Sequence, residues 1–270
     1  MSRIILITGS TDGIGLETAK MLYSLGHQVL IHGRSNAKLK AAMKIISQEP
    51  GTGTLEMYRA DFSILKEVET LAKEIATKHD KLDVLINNAG LLKTSNPLTQ
   101  DGLDVRFAVN TIAPYLLTRR LLPLMGPTGR VVNLSSAAQA TVNINALADG
   151  TSATLSAGSA YAQSKLAITA WSHSMALELQ GNGPVVVAVN PASMLGTKMV
   201  QAGYGVTGGD IRVGADILVR ASISDEFASA TGKYYDNDIG RFSSPHSDAL
   251  NKAKTKKIVQ AIEDVIADRI

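Results

Sequence analysis

Tyr161 and Lys165 lie four residues apart in the run Tyr161-Ala162-Gln163-Ser164-Lys165. On a helix, this spacing places both side chains on one face. An ammonium group beside a phenol stabilises the phenolate and so lowers a phenol pKa that is ordinarily about 10. A phenol of that kind can exchange protons with a ligand near neutral pH. Taken alone, the pair is more simply explained as two neighbours on a helix surface, so other residues must favour proton transfer.

Glycines near the N-terminus suggest what such a phenol would act beside. Gly9, Gly13 and Gly15 directly follow the apolar run Ile4–Ile7. Glycine lets the chain turn tightly and lets a phosphate approach the backbone, while a following helix N-terminus offers free N–H groups. A strand before and a helix after are the context that a dinucleotide-binding turn requires, and a turn without ligand is the alternative. Asp12 would repel a phosphate here, so we expect it to cap the helix.

Short apolar runs alternate with segments of helical period along the whole chain. One such segment carries Val68, Leu71, Ala72 and Ile75 on a single face. This alternation predicts an α/β fold, a doubly wound (Rossmann) parallel sheet with helices on both faces, formed as one domain by residues 1–270. The predicted strands are Ile4–Ile7, Val29–Ile31, Leu55–Tyr58, Val84–Ile86, Arg130–Leu134, Val185–Val189 and, before the last helix, Gly232–Tyr235.

Composition narrows the classes of function. The chain of 270 residues has no cysteine, which excludes disulfides, thiolate catalysis and cysteine-based zinc sites. The five histidines show no metal-ligand spacing, so we expect no metal. The net charge of +3 is mild and spread out, which does not favour nucleic acid. No run approaches the roughly 18 apolar residues of a membrane span. We expect a cytoplasmic protein.

The motifs in this order resemble the short-chain dehydrogenase/reductase family, over Ile4 to about Tyr235. The resemblance rests on the glycine turn, the run Asn87-Asn88-Ala89-Gly90, Asn110, Ser136 at the end of the fifth strand, and Tyr161 with Lys165. It implies a nicotinamide cofactor and hydride transfer between that cofactor and the carbon of a carbonyl or alcohol. The resemblance also implies that two or four copies pair through the helices around Asn110 and Tyr161.

The resemblance assigns a role to each member of the catalytic set. Tyr161 is expected to be the general acid in reduction and the base in the reverse reaction. Lys165 is expected to lower the pKa of Tyr161 and bind the nicotinamide ribose, and Asn110 to hold a water linking Lys165 to solvent. Ser136 is expected to polarise the substrate oxygen, although only one of Ser135 and Ser136 can face the site because strand side chains alternate.

The cofactor is expected to be NADP(H). The second strand is followed by Arg34, where a carboxylate would repel a 2′-phosphate and an arginine can bind it with two hydrogen bonds. The alternative is that Arg34 is simply a solvated residue before the next helix. By resemblance, Asp61 meets the adenine and Asn88 lies near the adenosine ribose. The cofactor-binding residues are expected to be Gly9, Ser10, Thr11, Gly13, Ile14, Gly15, Arg34, Ser35, Asp61, Phe62, Asn88, Ala89, Gly90, Tyr161, Lys165, Pro191 and Thr197.

Two loop-like stretches are expected to bind the substrate, at about residues 137–159 and 194–210. The first separates Ser136 from Tyr161 by 25 positions and carries Leu147 and Leu155. The second is rich in glycine and is expected to act as a lid. A long first insert resembles the retinol-dehydrogenase-like members, which implies a mainly apolar aldehyde, ketone or alcohol as substrate. The pocket is therefore expected to be apolar with one polar centre, and Met194 and Met199 are candidates for its wall.

Two other classes remain open. A relative of this fold could bind NADP(H) as a non-catalytic sensor or scaffold, but such a protein needs only the glycine turn and Arg34. An epimerase or dehydratase would use the same cofactor, yet relatives of that kind usually carry a larger C-terminal substrate domain. The catalytic set therefore favours an oxidoreductase.

One residue departs from the family's pattern. In short-chain dehydrogenases the residue that follows the proline at position 191 is usually glycine, whereas this chain has Ala192, close to Thr197.

Overall fold

A computed structural model describes residues 2–150, 155–179 and 181–270. Within these residues, eight strands form one sheet: β1 (Ile4–Ile7), β2 (Gln28–Gly33), β3 (Thr54–Arg59), β4 (Val84–Asn87), β5 (Arg130–Leu134), β6 (Val185–Asn190), β7 (Tyr234–Asp236) and β8 (Arg241–Ser243). The α-helices of the described chain are α1 (Gly13–Ser24), α2 (Asn36–Ile46), α3 (Leu65–Lys78), α4 (Val105–Phe107), α5 (Ala113–Leu121), α6 (Ile144–Asp149), α7 (Ala157–Leu179), α8 (Lys198–Tyr204), α9 (Ile211–Ile223) and α10 (Lys252–Arg269).

The strand order is β3-β2-β1-β4-β5-β6-β7-β8, and all neighbours are parallel except β7 and β8. Side chains alternate across each strand, so Leu6 and Ile7 enter two different apolar cores. One core packs under α3, α5, α7 and α10, and the other under α1, α2 and α9. The predicted doubly wound sheet with helices on both faces is confirmed. In the described part of the chain, no helix is long and apolar enough to cross a membrane.

The strand bounds differ from prediction where polar residues extend an apolar run. β2 pairs with β3 from Gln28 opposite Thr54 to Gly33 opposite Arg59, because backbone hydrogen bonds do not require apolar side chains. The last predicted strand begins at Tyr234 rather than Gly232, whose φ of 75° belongs to a turn. β8 was not predicted, since three partly polar residues give no alternation to detect.

Both predicted substrate loops contain helices. α6 interrupts the first stretch and packs against α10, while α8 lies within the second. Residues 151–154 of the first stretch lie outside the described residues. The carboxyl ends of the parallel strands share one edge of the sheet, and the order reverses between β1 and β4. A ligand crevice is expected at that edge, beside the reversal.

Candidate active site

A cavity of about 360 Å³ lies at this edge and collects most of the predicted cofactor residues. It runs from the end of β2 across the glycine turn to the start of the segment after β6. The predicted residues that line it are Gly9, Thr11, Gly13, Ile14, Gly15, Arg34, Asp61, Phe62, Asn88, Ala89, Gly90, Tyr161, Lys165, Pro191 and Thr197. Ser10 and Ser35 do not line it. The buried Ser10 hydroxyl donates to Ile7 O, and Ser35 caps α2.

Close backbone packing explains the glycines of the turn. Gly9 has φ +66°, and a Cβ built on it would lie 2.8 Å from Ala89 Cα. A Cβ on Gly15 would lie 2.6 Å from Gly9 O. Asn88 secures the turn, because its Nδ2 donates to Thr8 O at 2.8 Å and to Gly9 O at 3.0 Å. The turn and the α1 N-terminus therefore form the kind of cradle that fits a pyrophosphate.

His32 is a cavity residue that the sequence analysis missed. Its ring is buried between β1 and β3, where Nδ1 accepts from Gly9 N–H at 3.2 Å and Nε2 donates to Ala60 O at 3.0 Å. Burial lowers the pKa of His32 to about 4, so the ring is neutral at pH 7. It stacks on Phe62 with ring centroids 4.3 Å apart. His32 thus ties the glycine turn to the wall that carries Phe62.

Arg34 lies exposed at the cavity edge directly after β2. Within the described chain its guanidinium has no hydrogen-bond or ion-pair partner, so its donors are free for a ligand. Asp61 faces the same end of the cavity, and its Oδ1 accepts from the Ser63 hydroxyl at 2.7 Å. Asp12 caps α1 as expected, because its Oδ1 accepts from Gly13 N–H at 2.9 Å.

Tyr161 lies where this cavity meets a second one of about 160 Å³. Both cavities are lined by Tyr161, Ile14, Pro191, Thr197 and Met199. The second cavity also contains Ser136. A phenol at this junction can reach a ligand in either space, which is the placement that proton transfer to a substrate held beside a cofactor requires.

Lys165 supports Tyr161 from the next turn of α7. Only 4% of it is exposed, its Nζ donates to Leu134 O at 2.7 Å, and Nζ lies 5.6 Å from the centroid of the Tyr161 ring. Burial lowers the pKa of Lys165 to about 8. Gly90 lies beside the lysine, since a Cβ built on it would be 3.6 Å from Nζ.

The pKa of Tyr161 differs from the expected direction. Burial raises it most, the nearby Ser136 hydroxyl lowers it, and the interaction with Tyr204 raises it. Desolvation disfavours the phenolate more than the donors of the chain stabilise it. Tyr161 therefore holds its proton at neutral pH, which suits a general acid, and the predicted lowering by Lys165 is not what the chain alone produces.

The structure separates the two serines after β5. The Ser135 hydroxyl is buried and lies 2.6 Å from the Thr169 hydroxyl of α7, and Ser135 lines the larger cavity. Ser136 lines the smaller cavity together with Tyr161. The two serines therefore belong to different cavities, and the role of Ser136 toward a substrate stays a prediction.

Asn110 lies in a π-helical segment, Ala108–Ile112, between α4 and α5. Such segments often occur at functional sites because they widen a helix locally. The Asn110 side chain is fully engaged, since Oδ1 accepts from Leu91 N–H at 2.9 Å and Nδ2 donates to Leu91 O and Ser164 Oγ. It therefore braces the loop after β4 against α7. Asn110 lines neither cavity, and its expected water-holding role stays a prediction.

The wall of the smaller cavity is mainly apolar and comes from the segment after β6. Met194 and Met199 line it as suggested, and Tyr204, which the sequence analysis missed, joins them. Leu147 instead lies wholly in the core, and Ala138 is the one residue of the described insert on this wall. Neither Leu147 nor Leu155 lines this cavity, because α6, which carries Leu147, packs on α10 and Leu155 packs against the same core.

Ala192 keeps a glycine-like backbone, with φ 107°. Its neighbour Met194 also has a positive φ, 54°. Non-glycine residues hold such angles only where the surroundings impose them, and they concentrate at functional sites. Here Asp238 of the β7–β8 turn imposes them, accepting from Ser193 N–H at 2.7 Å and from the Ser193 hydroxyl at 2.6 Å.

Comparison with known proteins agrees with this geometry. Residues 3–204 match the family described as short chain dehydrogenase. The chain belongs to the short-chain dehydrogenase family. Human polyprenol dehydrogenase is 34% identical over 192 residues, which cover 69% of this chain and 58% of that protein. Human retinol dehydrogenase 13 is 29% identical over 255 residues, covering 87% of this chain and 76% of that protein. The predicted resemblance to retinol-dehydrogenase-like members is thereby confirmed.

Solved short-chain dehydrogenases share the fold. One from Shigella flexneri, solved in complex with NADP, has a TM-score of 0.68 and 27% identity, covering 87% of this chain and 97% of its own. The chain spans less than two thirds of the polyprenol dehydrogenase. The family match therefore places the chain among the short-chain dehydrogenases, a family of oxidoreductases.

Proposed function

We propose that this chain is an NADP(H)-dependent oxidoreductase that interconverts mainly apolar aldehydes or ketones and their alcohols. One observation carries the proposal: Tyr161 lies at the junction of the two cavities, Ser136 lines the smaller cavity with it, and Lys165 Nζ lies 5.6 Å from the centroid of its ring. The larger cavity fits a dinucleotide through its glycine cradle, and the smaller one has an apolar wall around the Tyr161 and Ser136 hydroxyls.

The cofactor, when bound, supplies or accepts a hydride at the reacting carbon. During reduction, negative charge grows on the carbonyl oxygen, and Tyr161 donates its proton to that oxygen. Ser136 donates a second hydrogen bond to the same oxygen and stabilises the charge before the proton arrives. The product is the alcohol, and Tyr161 is left as a phenolate that the buried Lys165 ammonium stabilises until a proton returns. Oxidation of an alcohol runs through the same groups in reverse.

Three features support the choice of NADP(H). Arg34 lies at the cavity edge with unpartnered donors, and no carboxylate follows β2 at this point. The Shigella flexneri relative was solved with NADP.

The apolar wall supports the substrate class, since Met194, Met199 and Tyr204 offer few hydrogen bonds to a sugar or an acid. The relatives named for polyprenol and retinol point to the same class.

The test is a panel of aldehydes and ketones offered with NADPH, followed by loss of NADPH absorbance. The panel should range from short polar aldehydes to long-chain apolar aldehydes. We expect kcat/KM to rise with apolar chain length and NADH to be a poor substitute. The sensor alternative would instead be supported if the protein binds NADPH but neither reduces any carbonyl of the panel nor oxidises the corresponding alcohols with NADP⁺.

A further inference from the structure

An ion pair connects the glycine turn to the wall of the smaller cavity. Lys198 Nζ lies 2.5 Å from Asp12 Oδ2, although the two residues are 186 positions apart. Lys198 is the first residue of α8. Both side chains line the larger cavity. The lysine side chain is 80% exposed, and an exposed pair contributes little to stability, so its placement matters more than its strength.

Asp12 presents an electrostatic problem for the proposed cofactor. Its carboxylate stands in the turn whose N–H groups would receive a pyrophosphate, and like charges repel each other there. Among the described residues lining the larger cavity, the cations are Arg34, Lys165 and Lys198. Arg34 lies at the end of β2, and Lys165 is buried beside Leu134 O. Lys198 is the cation that lies beside the glycine turn itself.

The helix that Lys198 begins forms the wall of the smaller cavity. Met199, Val200 and Tyr204 of α8 line that cavity, yet no residue of α8 is buried. Backbone hydrogen bonds close the base of the segment, from Gly196 N–H to Gly209 O at 2.7 Å and from Gly209 N–H to Met194 O at 2.8 Å. The base of the segment is therefore fixed by backbone hydrogen bonds, and Lys198 adds a side-chain contact to Asp12 at the start of α8.

We infer that Lys198 is a pyrophosphate-binding residue that links cofactor binding to the ordering of the substrate wall. The inference rests on the proposed function. A pyrophosphate in the glycine cradle gives the lysine a second anion beside Asp12, so one ammonium group offsets the carboxylate and the phosphate together. Because Lys198 is part of α8, the same contact fixes Met199 and Tyr204 around the substrate. Such coupling is reciprocal, so an occupied substrate cavity also tightens cofactor binding.

The test measures NADPH binding by its fluorescence, without turnover. The variants are Lys198→Met, with Lys198→Gln as a second replacement, and Asp12→Asn, which keeps the capping oxygen while removing the charge. Lys66→Met on the exposed face of α3 is the control for net charge. We expect loss of the Lys198 charge to weaken NADPH binding about 5- to 20-fold and to flatten its salt dependence, with the control within about 2-fold.

Combining Lys198→Met with Asp12→Asn distinguishes a lysine that binds the pyrophosphate from one that only neutralises Asp12. If Lys198 binds the pyrophosphate, Lys198→Met still weakens NADPH binding when Asp12 is already asparagine. An unchanged affinity in that background would mean that the lysine only neutralises Asp12, and it would overturn the inference. Unchanged affinity of the single Lys198 variants would overturn it as well.

Hydrogen exchange provides the second readout. We expect NADP⁺ to slow amide exchange in residues 199–204 of the wild type and to leave it unchanged in Lys198→Met. Equal slowing in both proteins would contradict the link to the substrate wall. If the wild type binds no NADPH at all, the proposed function fails and the inference fails with it. Wild-type binding with indifferent Lys198 variants overturns only the inference.

Discussion

At the scale of single residues, Arg34 carries the proposed preference for NADP(H), and Ala192 carries local backbone strain. Arg34 offers free guanidinium donors at the cavity edge. Ala192 carries a methyl group where the backbone has a glycine-like φ of 107°.

Replacing Arg34 with alanine should change cofactor preference. We expect the Kd for NADPH to rise about 10- to 100-fold, since a bidentate arginine–phosphate contact is lost, while the Kd for NADH changes about 2-fold or less. Fluorescence titration with both cofactors measures this. Lys38→Ala, an exposed α2 cation that does not line the cavity, is the matched control. Equal losses for NADPH and NADH would contradict the assignment of Arg34.

Ala192→Gly should stabilise the protein. The alanine holds a φ that is strained for any residue with a Cβ, and glycine adopts it freely. The relief of strain outweighs the added freedom of the unfolded chain, so we expect about 1 kcal/mol in the free energy of unfolding. Urea denaturation measures the change. A loss of stability would show that the Ala192 methyl group makes contacts worth more than the strain.

At the scale of elements, the β7–β8 turn positions the segment that follows β6. Asp238 accepts from both Ser193 donors and from Asn190 Nδ2 at 2.9 Å. Asn237 adds a bond from its Nδ2 to Pro191 O at 3.0 Å. Four hydrogen bonds from one turn thus hold the segment that contains Pro191, which lines both cavities, and Ser193, which lines the smaller one.

Asp238→Ala should therefore impair catalysis more than cofactor binding. We expect kcat/KM for the carbonyl substrate to fall about 10-fold, stability to fall by about 1 kcal/mol, and the Kd for NADPH to stay nearly constant. Steady-state kinetics beside NADPH titration separate these effects. Asp238→Asn keeps an acceptor for Ser193 N–H and should restore most of the activity. No rescue by asparagine, or an equal loss in NADPH binding, would contradict the positioning role.

Elements with clear boundaries were predicted well from the sequence. Ile4–Ile7 and Arg130–Leu134 were predicted to the residue, because Thr8-Gly9 ends the first run and Gly129 precedes the second. β8 was missed because a three-residue strand depends on its partner rather than on its own pattern. The insert after Ser136 was expected to be loop-like, whereas α6 forms there by packing on α10.

The site was predictable only as far as motifs reach. Asn88, Ser136, Tyr161 and Lys165 carry spacing that signals their chemistry. Lys198 follows Thr197, which was predicted, but only the folding of α8 over the glycine turn brings its ammonium to Asp12. Likewise His32 and Tyr204 belong to no motif and gain their places from long-range packing. Contacts between residues far apart in the sequence leave no local pattern, so they could not be predicted from this sequence.

At the scale of the whole molecule, two apolar cores under the opposite faces of the sheet support the crevice. α10 packs along α7 within one chain and so stabilises the helix that carries Tyr161 and Lys165. The pairing of two or four copies stays a prediction.

His32 makes the stability of the fold itself depend on pH, because it is buried between β1 and β3.

Acid should destabilise the fold through His32. Its pKa is about 4 in the folded chain and 6.5 ordinarily, so the unfolded chain binds more protons between these values. The contribution is fully present above about pH 6.5 and is lost as the pH falls to about 4, at roughly 3 kcal/mol. His32→Gln keeps a donor and an acceptor without titrating. Urea denaturation across this range should show a shallower pH dependence for the variant, and parallel curves would contradict the account.

Tyr161→Phe removes the proton that we propose Tyr161 supplies at the junction of the two cavities. The variant is compared with the wild type in NADPH titration and in single-turnover reduction of the best carbonyl from the panel. We expect an NADPH Kd within about 2-fold of the wild type and a reduction rate at least about 100-fold lower, because the general acid is gone. A wild-type reduction rate in Tyr161→Phe would contradict this proposal.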